Sequence, residues 1–374
     1  MKIVVVSNSL IFHQARIWDE LYKKKDIELK YLSTMPLTEE RKKMKYVDEQ
    51  RDYLFDSLAC SIEELDEIFE GADFVFLGNN YDKRLTKYIV NAPNLIVMAE
   101  HLSKRPSLIL NTLGTFKWIV LEQHYKCKGD KYLLAFSQFA YDDFKNYGFK
   151  KTTYRFGYFP SFDEYKNISL DSKDPFAIVW HGRIIQYKHA ECAIELLRYL
   201  KLKDTRYHLE FIGEGEDLER QKRIIASYNL TDSVTFSPFL AHDEIMKKLL
   251  NASIHVFSSD RQEGWGVVLN EAMAAGCICF ASINAGSSGF LVEDGVNALT
   301  FADDNRNSLY KAADRYLKMN EKQILEMRKH ARNAIFDLWD YRVACERLYE
   351  LLTNIYNHKD FDKYKIGPVS KVNK

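Results

Sequence analysis

The sequence predicts an α/β protein of two doubly wound, Rossmann-like domains that face a cleft. Short runs rich in Val, Ile, Leu and Phe carry almost no charge, which is typical of strands buried on both faces of a parallel sheet. Amphipathic segments separate these runs, so strand and helix alternate. The alternation stops once near the middle of the 374 residues and then starts again, which indicates two domains.

The first half begins with the strand KIVVVSNS and the helix IFHQARIWDELYKK. The helix places one set of apolar residues on a single side: Ile11, Ala15, Trp18, Leu21 and Tyr22. Further strands are predicted at IELKYLST, DFVFLGN, NLIVMAEH and YLLAFSQ, and further helices at SIEELDEIFEGA and KRLTKYIVN. These elements give a first domain over residues 1–165.

The segment RFGYFPSFDEYKNISLDSKDP contains turn formers and charges and is the predicted linker. Strands follow at FAIVWHGR, YHLEFIGEG, SVTFSPF, IHVFSSD and CICFAS, with helices at 189–202, 216–228, 242–251 and 265–275. We therefore expect a second domain over residues 166–338. The remainder, 339–374, is predicted as one helix and a loose basic tail. Functional side chains should lie just after strands, where open parallel sheets bind ligands.

Lysine plus arginine and aspartate plus glutamate each number 53, so no global field favours nucleic acid as a partner. The six cysteines form no CxxC pair and are expected to be free core residues in a reducing compartment. Neither a leader peptide nor an apolar run of the ~20 residues that span a bilayer is evident. A cytoplasmic protein is therefore expected.

The loop after one strand of the second half carries two cations, in WHGRIIQYK. Arg183 and Lys188 follow Gly182 and precede a helix, and this arrangement suits a diphosphate, although a solvated basic loop is the alternative. In FIGEGE, Gly213 indicates a tight turn or a close backbone approach to a ligand. The absence of a GxGxxG fingerprint disfavours a dinucleotide-dependent dehydrogenase.

The stretch EGWGVVLNEAMAAG places Glu263 and Glu271 before and within a small-residue apolar helix. Because an unpaired buried carboxylate is costly, either both side chains reach water through the phase of the helix or a polar group lies between them. Gly264, Trp265 and Gly266 add backbone amides at the helix N-terminus, where phosphate is attracted, while carboxylates accept hydrogen bonds from hydroxyls. A sugar nucleotide fits this arrangement. The alternative for Glu263 is a simple helix-start acid.

The same stretch resembles the E-x7-E signature of retaining GT-B glycosyltransferases of family 4. HGRIIQYKH is similar to that family's phosphate loop, FIGEGE to its glycine strand, and GSSGFLVEDGVNALTF to the segment after its signature. FHQARIWDELY and TEERKK resemble the subgroup that builds bacterial capsule and exopolysaccharide. The resemblance implies a GT-B fold whose final helix crosses back to the first domain. It also implies hexose transfer from a UDP- or GDP-sugar to a glycan acceptor, with a lipid-linked acceptor favoured.

The resemblance also implies residue roles. Glu263 would contact the transferred sugar and Glu271 the ribose hydroxyls, while Arg183 and Lys188 would hold the leaving diphosphate. The remaining donor-binding residues implied in this half are Gly182, Gly213, Phe239, Gly264, Trp265 and Gly266. No DxD motif follows a strand, and DFD at 360–362 is predicted to be surface charge, so no metal or other cofactor is expected.

The first half departs from the family where a glycine-rich loop would follow the first strand. That loop is SNSLIFHQ, which contains no glycine. Asn8 and His13 are candidates to make part of the contact with the donor that the glycine-rich loop makes in the family. His101, at the end of NLIVMAEH, is a candidate to face the sugar, or else a hydrogen-bonded turn residue. His181 is expected to support the phosphate loop.

Residues 104–131 interleave basic side chains with Leu, Phe, Trp and Ile. This pattern suits peripheral contact with anionic lipid, and an ordinary helix with one solvated basic face is the alternative.

Two other functions are open from the sequence: a non-catalytic GT-B subunit that stabilises a partner transferase, and a nucleotide-sugar 2-epimerase. The joint presence of Glu263, Glu271, Arg183 and Lys188 disfavours the first, and the lack of a distinct acid–base motif disfavours the second.

Overall fold

The computed structural model describes residues 1–36, 38, 39, 42, 50–80, 82–101, 127–149, 151–170, 172–302 and 305–372. These residues form two compact units. The first holds the described residues up to Ser161 together with Trp339–Lys374, and the second holds Phe162–Leu338. The division falls inside the predicted linker. The ring of Phe162 packs near those of His242 and Phe336, so its burial ties it to the second unit.

The described part of the first unit contains one parallel sheet with strand order β3-β2-β1-β4-β5-β6-β7. Its strands are β1 (Lys2–Ser7), β2 (Glu28–Ser33), β3 (Leu54–Asp56), β4 (Phe74–Leu77), β5 (Asn94–Ala99), β6 (Asp130–Ala135) and β7 (Thr153–Arg155). The sequence predicts the five inner strands from their apolar runs. The edge strands β3 and β7 were missed, because three residues are too few to show a pattern.

The described helices of the N-terminal part are α1 (Phe12–Tyr22), α2 (Ile62–Phe69), α3 (Thr86–Val90) and α4 (Ala140–Phe144). The predicted inner face of α1 is buried except at its last residue, Tyr22, which is 43% exposed because the helix ends there. A capping box starts α2: the Ser61 hydroxyl accepts from the Glu64 amide at 3.1 Å, and the Glu64 carboxylate accepts from the Ser61 amide at 2.7 Å.

The second unit contains a parallel sheet with order β10-β9-β8-β11-β12-β13 in its described residues. Its strands are β8 (Asp174–His181), β9 (His208–Ile212), β10 (Val234–Ser237), β11 (Ala252–Phe257), β12 (Ile278–Ser282) and β13 (Leu299–Phe301). Its helices are α5 (Glu191–Lys201), α6 (Leu218–Ser227), α7 (His242–Asn251), α8 (Val268–Ala274), α9 (Ser288–Leu291), α10 (Arg306–Leu317) and α11 (Glu321–Asn333). The predicted class of two Rossmann-like α/β units is confirmed.

After α11 and a π-helical turn at Ala334–Leu338, the chain returns to the first unit as α12 (Tyr341–Tyr356). The helix packs on α1, as the resemblance implies. Outside that contact, the Tyr349 hydroxyl donates to Asp26 at 2.7 Å, and Lys24 forms an ion pair with Glu346 at 2.8 Å. The C-terminal helix is thus part of the first unit.

The expectation of a loose C-terminal tail was wrong. The Val369 amide donates to the Arg155 carbonyl at 2.7 Å, and the Arg155 amide donates to the Ser370 carbonyl at 2.8 Å. The Val372 amide donates to the Thr153 carbonyl at 2.9 Å. Because β7 is an edge strand with unpaired backbone groups, the tail completes its hydrogen bonding and covers the edge.

None of the described helices is both long and apolar enough to cross a membrane. Residues 104–126 of the basic, aromatic stretch lie outside the described part of the chain. All six cysteines are free, and Cys192, Cys277, Cys279 and Cys345 are buried. Asp360 and Asp362 are exposed, as predicted for the DFD sequence.

Deleting residues 367–374 should destabilise the first unit by about 3 kcal/mol, because three backbone hydrogen bonds at ~1 kcal/mol each are lost from the β7 edge. Thermal unfolding of the full chain and the truncated chain would measure the change. The Lys365→Ala variant, at a side chain that is 76% exposed, is the control and should melt like the parent chain. An unchanged melting curve for the deletion would contradict the pairing of the tail with β7.

Candidate functional site

The candidate site lies at the carboxyl ends of β8 and β11, neighbouring strands at which the strand order of the sheet reverses. Two hydrogen bonds through one serine tie these ends together. The Trp180 indole donates to the Ser258 hydroxyl at 3.0 Å, and that hydroxyl donates to the Lys188 carbonyl at 2.7 Å. The loops that follow the two strands are therefore held side by side.

Lys188 and Glu263 form an ion pair in this site. The Lys188 ammonium donates to Glu263 Oε2, and the Ser259 hydroxyl donates to the same oxygen at 3.0 Å. The two charged side chains are only 11% and 12% exposed, so each charge needs a partner. The structure thus brings together a predicted phosphate-binding cation and a predicted sugar-binding carboxylate.

Arg183 supplies a second cation on the same loop. Its guanidinium donates to the Tyr187 hydroxyl at 3.0 Å, and the Tyr187 carbonyl accepts from the Asp260 amide at 3.0 Å. The loop after β8 is thereby anchored to the loop after β11. Arg183 and Lys188 lie on one strand-to-helix loop, as the sequence predicts.

His189 is a further charged group that sequence reasoning missed. Its ring nitrogens lie 3.4 Å from Glu191 Oε1 and 3.2 Å from Asp260 Oδ2. These carboxylates, Glu191 most strongly, raise the pKa of His189 to about 9 against the opposing effect of burial. The histidine is therefore cationic at neutral pH. Its position directly after Lys188, at the start of α5, was the available signal.

Glu271 is 4% exposed and is bonded on both carboxylate oxygens. His181 Nε2 lies 2.8 Å from Oε2, and His242 Nδ1 lies 3.1 Å from Oε1. Burial raises the pKa of Glu271, but the hydrogen bonds to His181 and His242 outweigh that effect and hold the pKa far below its usual range. Glu271 is an ionised buried acceptor. His181 bonds to this carboxylate, whereas support of the phosphate loop was expected.

His255 extends the same chain of contacts into the sheet. Its Nε2 lies 3.1 Å from His181 Nδ1, and the residue is fully buried. Burial holds the pKa of His255 well below its ordinary value, and the neighbouring His181 adds to that effect. Sequence reasoning missed both His242 and His255, because each is a single polar residue at a helix start or inside a strand.

Two glycines are required by close packing. Gly213 has φ +133°, and a Cβ there would lie 2.0 Å from the Gly182 carbonyl oxygen and 3.4 Å from the half-buried Phe239 ring. Gly266 has φ +85°, and a Cβ there would lie 2.3 Å from the Phe257 ring. A side chain at either position would displace a site loop. The structure thus brings Gly182, Gly213 and Phe239 together.

The loop at Glu263–Gly266 is fixed from two sides. The Trp265 indole is 1% exposed and donates to Asn270 Oδ1 at 2.8 Å, so this side chain belongs to the core. The carbonyls of Glu263 and Trp265 accept from the amides of Gly286 and Ser287 at 3.3 and 3.1 Å. Gly264 and Gly266 are both buried. At Gly264, Trp265 and Gly266 it is therefore the backbone, and not a side chain, that can meet a ligand.

The first-unit candidates follow the central strands of their own sheet. Asn8 lies just after β1, and its carbonyl accepts from the Tyr31 hydroxyl at 3.4 Å. His13 is buried in α1, with its ring centroid 4.6 Å from that of Tyr158. His101 lies after β5, with its ring centroid 6.5 Å from that of Phe139. All three occupy the carboxyl-end region of the first sheet or the helix that begins there.

Residues 161–334 match the family model of the glycosyl transferases group 1. The chain is 26% identical over 181 residues to the uncharacterized glycosyltransferase YqgM of Bacillus subtilis, a match that covers 48% of this chain and 49% of the relative. It is 29% identical over 187 residues to the amylovoran biosynthesis glycosyltransferase AmsK of Erwinia amylovora, covering 48% and 45%. The chain spans about half the length of the curated relatives it matches.

A similar fold occurs in the crystal structure of Anabaena Alr3699/HepE in complex with UDP and glucose. The TM-score is 0.65 at 15% identity, and the alignment covers 95% of this chain and 100% of the other. At that identity the likeness concerns the fold, which is the GT-B type with two parallel-sheet units.

In a Glu271→Gln variant we expect the pKa of His242 to fall. Burial lowers this pKa, and the hydrogen bond and charge of Glu271 raise it above 6.5 in the parent chain. The stabilisation from this pair is fully present below pH 6.5 and is lost as pH rises through the raised pKa. NMR titration of the histidine Cε1 protons would follow the change. His189 is the internal control, since it pairs with Glu191 and Asp260. An unmoved His242 titration would contradict the assigned pairing.

Proposed function

We propose, from the match of residues 161–334 to the glycosyl transferases group 1, that this chain is a retaining glycosyltransferase of surface polysaccharide synthesis. It would move a hexose from a UDP- or GDP-sugar to a glycan acceptor. The observation that carries the proposal is the convergence of Lys188, Glu263 and the buried Glu271 at the carboxyl ends of β8 and β11. A relative named for amylovoran biosynthesis and a similar fold with bound UDP and glucose support it.

The middle of the donor, its diphosphate, is assigned to the two cations after β8. Arg183 offers a planar guanidinium with several donors, and Lys188 offers a compact charge that already lies in the site. Binding a diphosphate would let Lys188 exchange one carboxylate partner for phosphate oxygens. Glu263 would then be released from the ion pair to accept hydrogen bonds from hydroxyls of the transferred sugar.

The nucleoside end is assigned to Glu271, Gly213 and Phe239. The carboxylate of Glu271 would accept from the ribose hydroxyls, and the backbone at Gly213 allows the close approach of a flat group beside the Phe239 ring. The backbone of Gly182, Gly264, Trp265 and Gly266 lies between the two ends of the donor in this assignment. Asn8, His13 and His101 are the first-unit candidates for contacts with the donor or acceptor.

In the proposed reaction, the bond between the sugar anomeric carbon and the β-phosphate oxygen breaks. The acceptor oxygen forms a bond to that carbon on the same face, and its proton passes to the departing diphosphate oxygen. Arg183 and Lys188 would stabilise the charge that develops on the diphosphate, which is the largest electrostatic demand of the step. With two cations in that role, we propose that no divalent metal or other cofactor is required. A lipid-linked acceptor and lipid contact through residues 104–131 complete the proposal and rest on sequence pattern.

We expect one nucleotide among UDP, GDP and ADP, together with its sugar conjugate, to raise the melting temperature of the chain. A ligand at 100 times its Kd stabilises by about 2.7 kcal/mol, which is a shift of several degrees. The Lys188→Ala variant should bind the diphosphate about 10- to 100-fold more weakly, because it loses a charge-assisted contact. Glu271→Ala should also lose the shift.

The Lys222→Ala variant is the matched control, since it removes one exposed lysine that pairs with Glu219 and should keep the parent response. No shift of the parent chain with any nucleotide would contradict the donor site and favour the non-catalytic subunit.

With the donor so identified, sugar transfer should persist in excess EDTA and give a product with the donor's anomeric configuration. The coupling constant of the anomeric proton in the NMR spectrum reports that configuration, and product formation reports the metal requirement. Inversion, or loss of activity restored by Mg²⁺, would contradict the mechanism. Conversion of the nucleotide sugar without an acceptor would favour the 2-epimerase instead.

A further inference from the structure

Four side chains form a continuous hydrogen-bonded chain through the second unit. His255 on β11 contacts His181 on β8 at 3.1 Å, His181 contacts Glu271 on α8 at 2.8 Å, and Glu271 contacts His242 on α7 at 3.1 Å. We call this chain the histidine relay. His255, His181 and Glu271 are each no more than 4% exposed, so little of these three groups meets solvent.

The contacts fix where the protons lie in the relay. Glu271 is ionised and only accepts, so His181 Nε2 and His242 Nδ1 both donate to it. His255 is neutral, because burial lowers its pKa, and its Nδ1 has no hydrogen-bond partner among the described residues. A buried N–H without a partner is rarer in proteins than an acceptor without one. We therefore assign the His255 proton to Nε2, which donates to His181 Nδ1.

In this arrangement the Glu271 carboxylate can accept further hydrogen bonds at defined positions. Among the described residues each carboxylate oxygen receives one hydrogen bond, from a histidine, and a carboxylate has about four lone-pair sites in all. One site on each oxygen is then left to accept a hydroxyl. A vicinal pair of hydroxyls can satisfy both oxygens at once.

We propose that His255, His181 and His242 are positioning residues that hold Glu271 as a fixed acceptor for a vicinal diol, and so make the site select a ribonucleotide over its 2′-deoxy form. This inference rests on the proposed function, which assigns Glu271 to the nucleoside end of the donor. His255 acts without touching the ligand. Its loss leaves His181 Nδ1 without a donor, so the His181 ring is held only by its bond to Glu271 and can turn. The carboxylate that it holds then shifts from the position that meets both hydroxyls.

The test compares UDP with 2′-deoxy-UDP in the parent chain, His255→Leu and His255→Gln, by calorimetric titration. The parent should bind UDP at least about tenfold more tightly, the value of one good hydrogen bond to a charged group. In His255→Leu the ratio of the two Kd values should fall to within about threefold. His255→Gln restores an N–H donor near the position of Nε2 and should keep most of the discrimination. If GDP or ADP is the nucleotide bound, its 2′-deoxy pair replaces the uridine pair.

A general loss of stability does not change this ratio, because the two ligands differ by one hydroxyl. Val256→Ala is the matched control: it lies one residue away on β11, is buried on the opposite face of the sheet, and should destabilise the unit while keeping the parent ratio. If His255→Leu does not fold, His242→Ala is the second variant. The His242 side chain is 29% exposed, and its substitution removes the donor to Glu271 Oε1.

The outcomes separate the two proposals. A parent chain that binds no nucleotide overturns the proposed function. A parent that binds UDP and its 2′-deoxy form equally, or a His255→Leu variant that discriminates like the parent, leaves the donor site intact and overturns the histidine relay as a positioning device. The histidine relay is supported if the ratio of the two Kd values falls in His255→Leu and stays near the parent value in His255→Gln and Val256→Ala.

Discussion

The buried charge of Glu271 is the constraint on which the second unit depends. A carboxylate inside a helix of small apolar residues is stable only with partners, since an unpaired buried charge costs several kcal/mol. The partners come from β8 and α7, and His255 on β11 supports the β8 partner. Four elements must therefore hold one register for this charge to be tolerated. The same requirement brings the carboxyl ends of β8 and β11 side by side, where the rest of the site lies.

The ion pair of Lys188 and Glu263 is of a different kind. Glu271 is held in the unit by two histidines, whereas Glu263 and Lys188 lie in loops and pair with each other, and Ser259 donates to Glu263. A buried network of charge-assisted hydrogen bonds resists rearrangement. A pair of charges at a loop can exchange its partner for a ligand that carries both a phosphate and a hydroxyl. The site therefore combines one fixed acceptor with one exchangeable pair.

Sequence reasoning predicted the inner strands of both sheets, the four helices that lie between β8 and β12 in the chain, and the residues of the two loops after β8 and β11. These features depend on local runs and spacings that a sequence displays. The three-residue edge strands β3, β7 and β13 display no period, and the pairing of Ser370 with Arg155 joins residues 215 apart along the chain. Sequence reasoning missed His242 and His255 for the same reason. Each gains its role from a partner that is distant in sequence, Glu271 for His242 and His181 for His255. The roles of Asn8, His13 and His101 stay predictions.

The difference between the two carboxylates has a consequence for how such a site can vary. Changing the nucleoside end means changing residues of β8, β11, α7 and α8 together, because Glu271 is bonded to the core of the unit and any lost partner leaves a buried group unsatisfied. Changing the end near Glu263 alters loop residues, whose partners are other loop residues and the backbone of Gly286. The energetic cost is therefore asymmetric across one site: recognition at Glu271 is built into the sheet, and recognition at Glu263 can change while the sheet stays as it is.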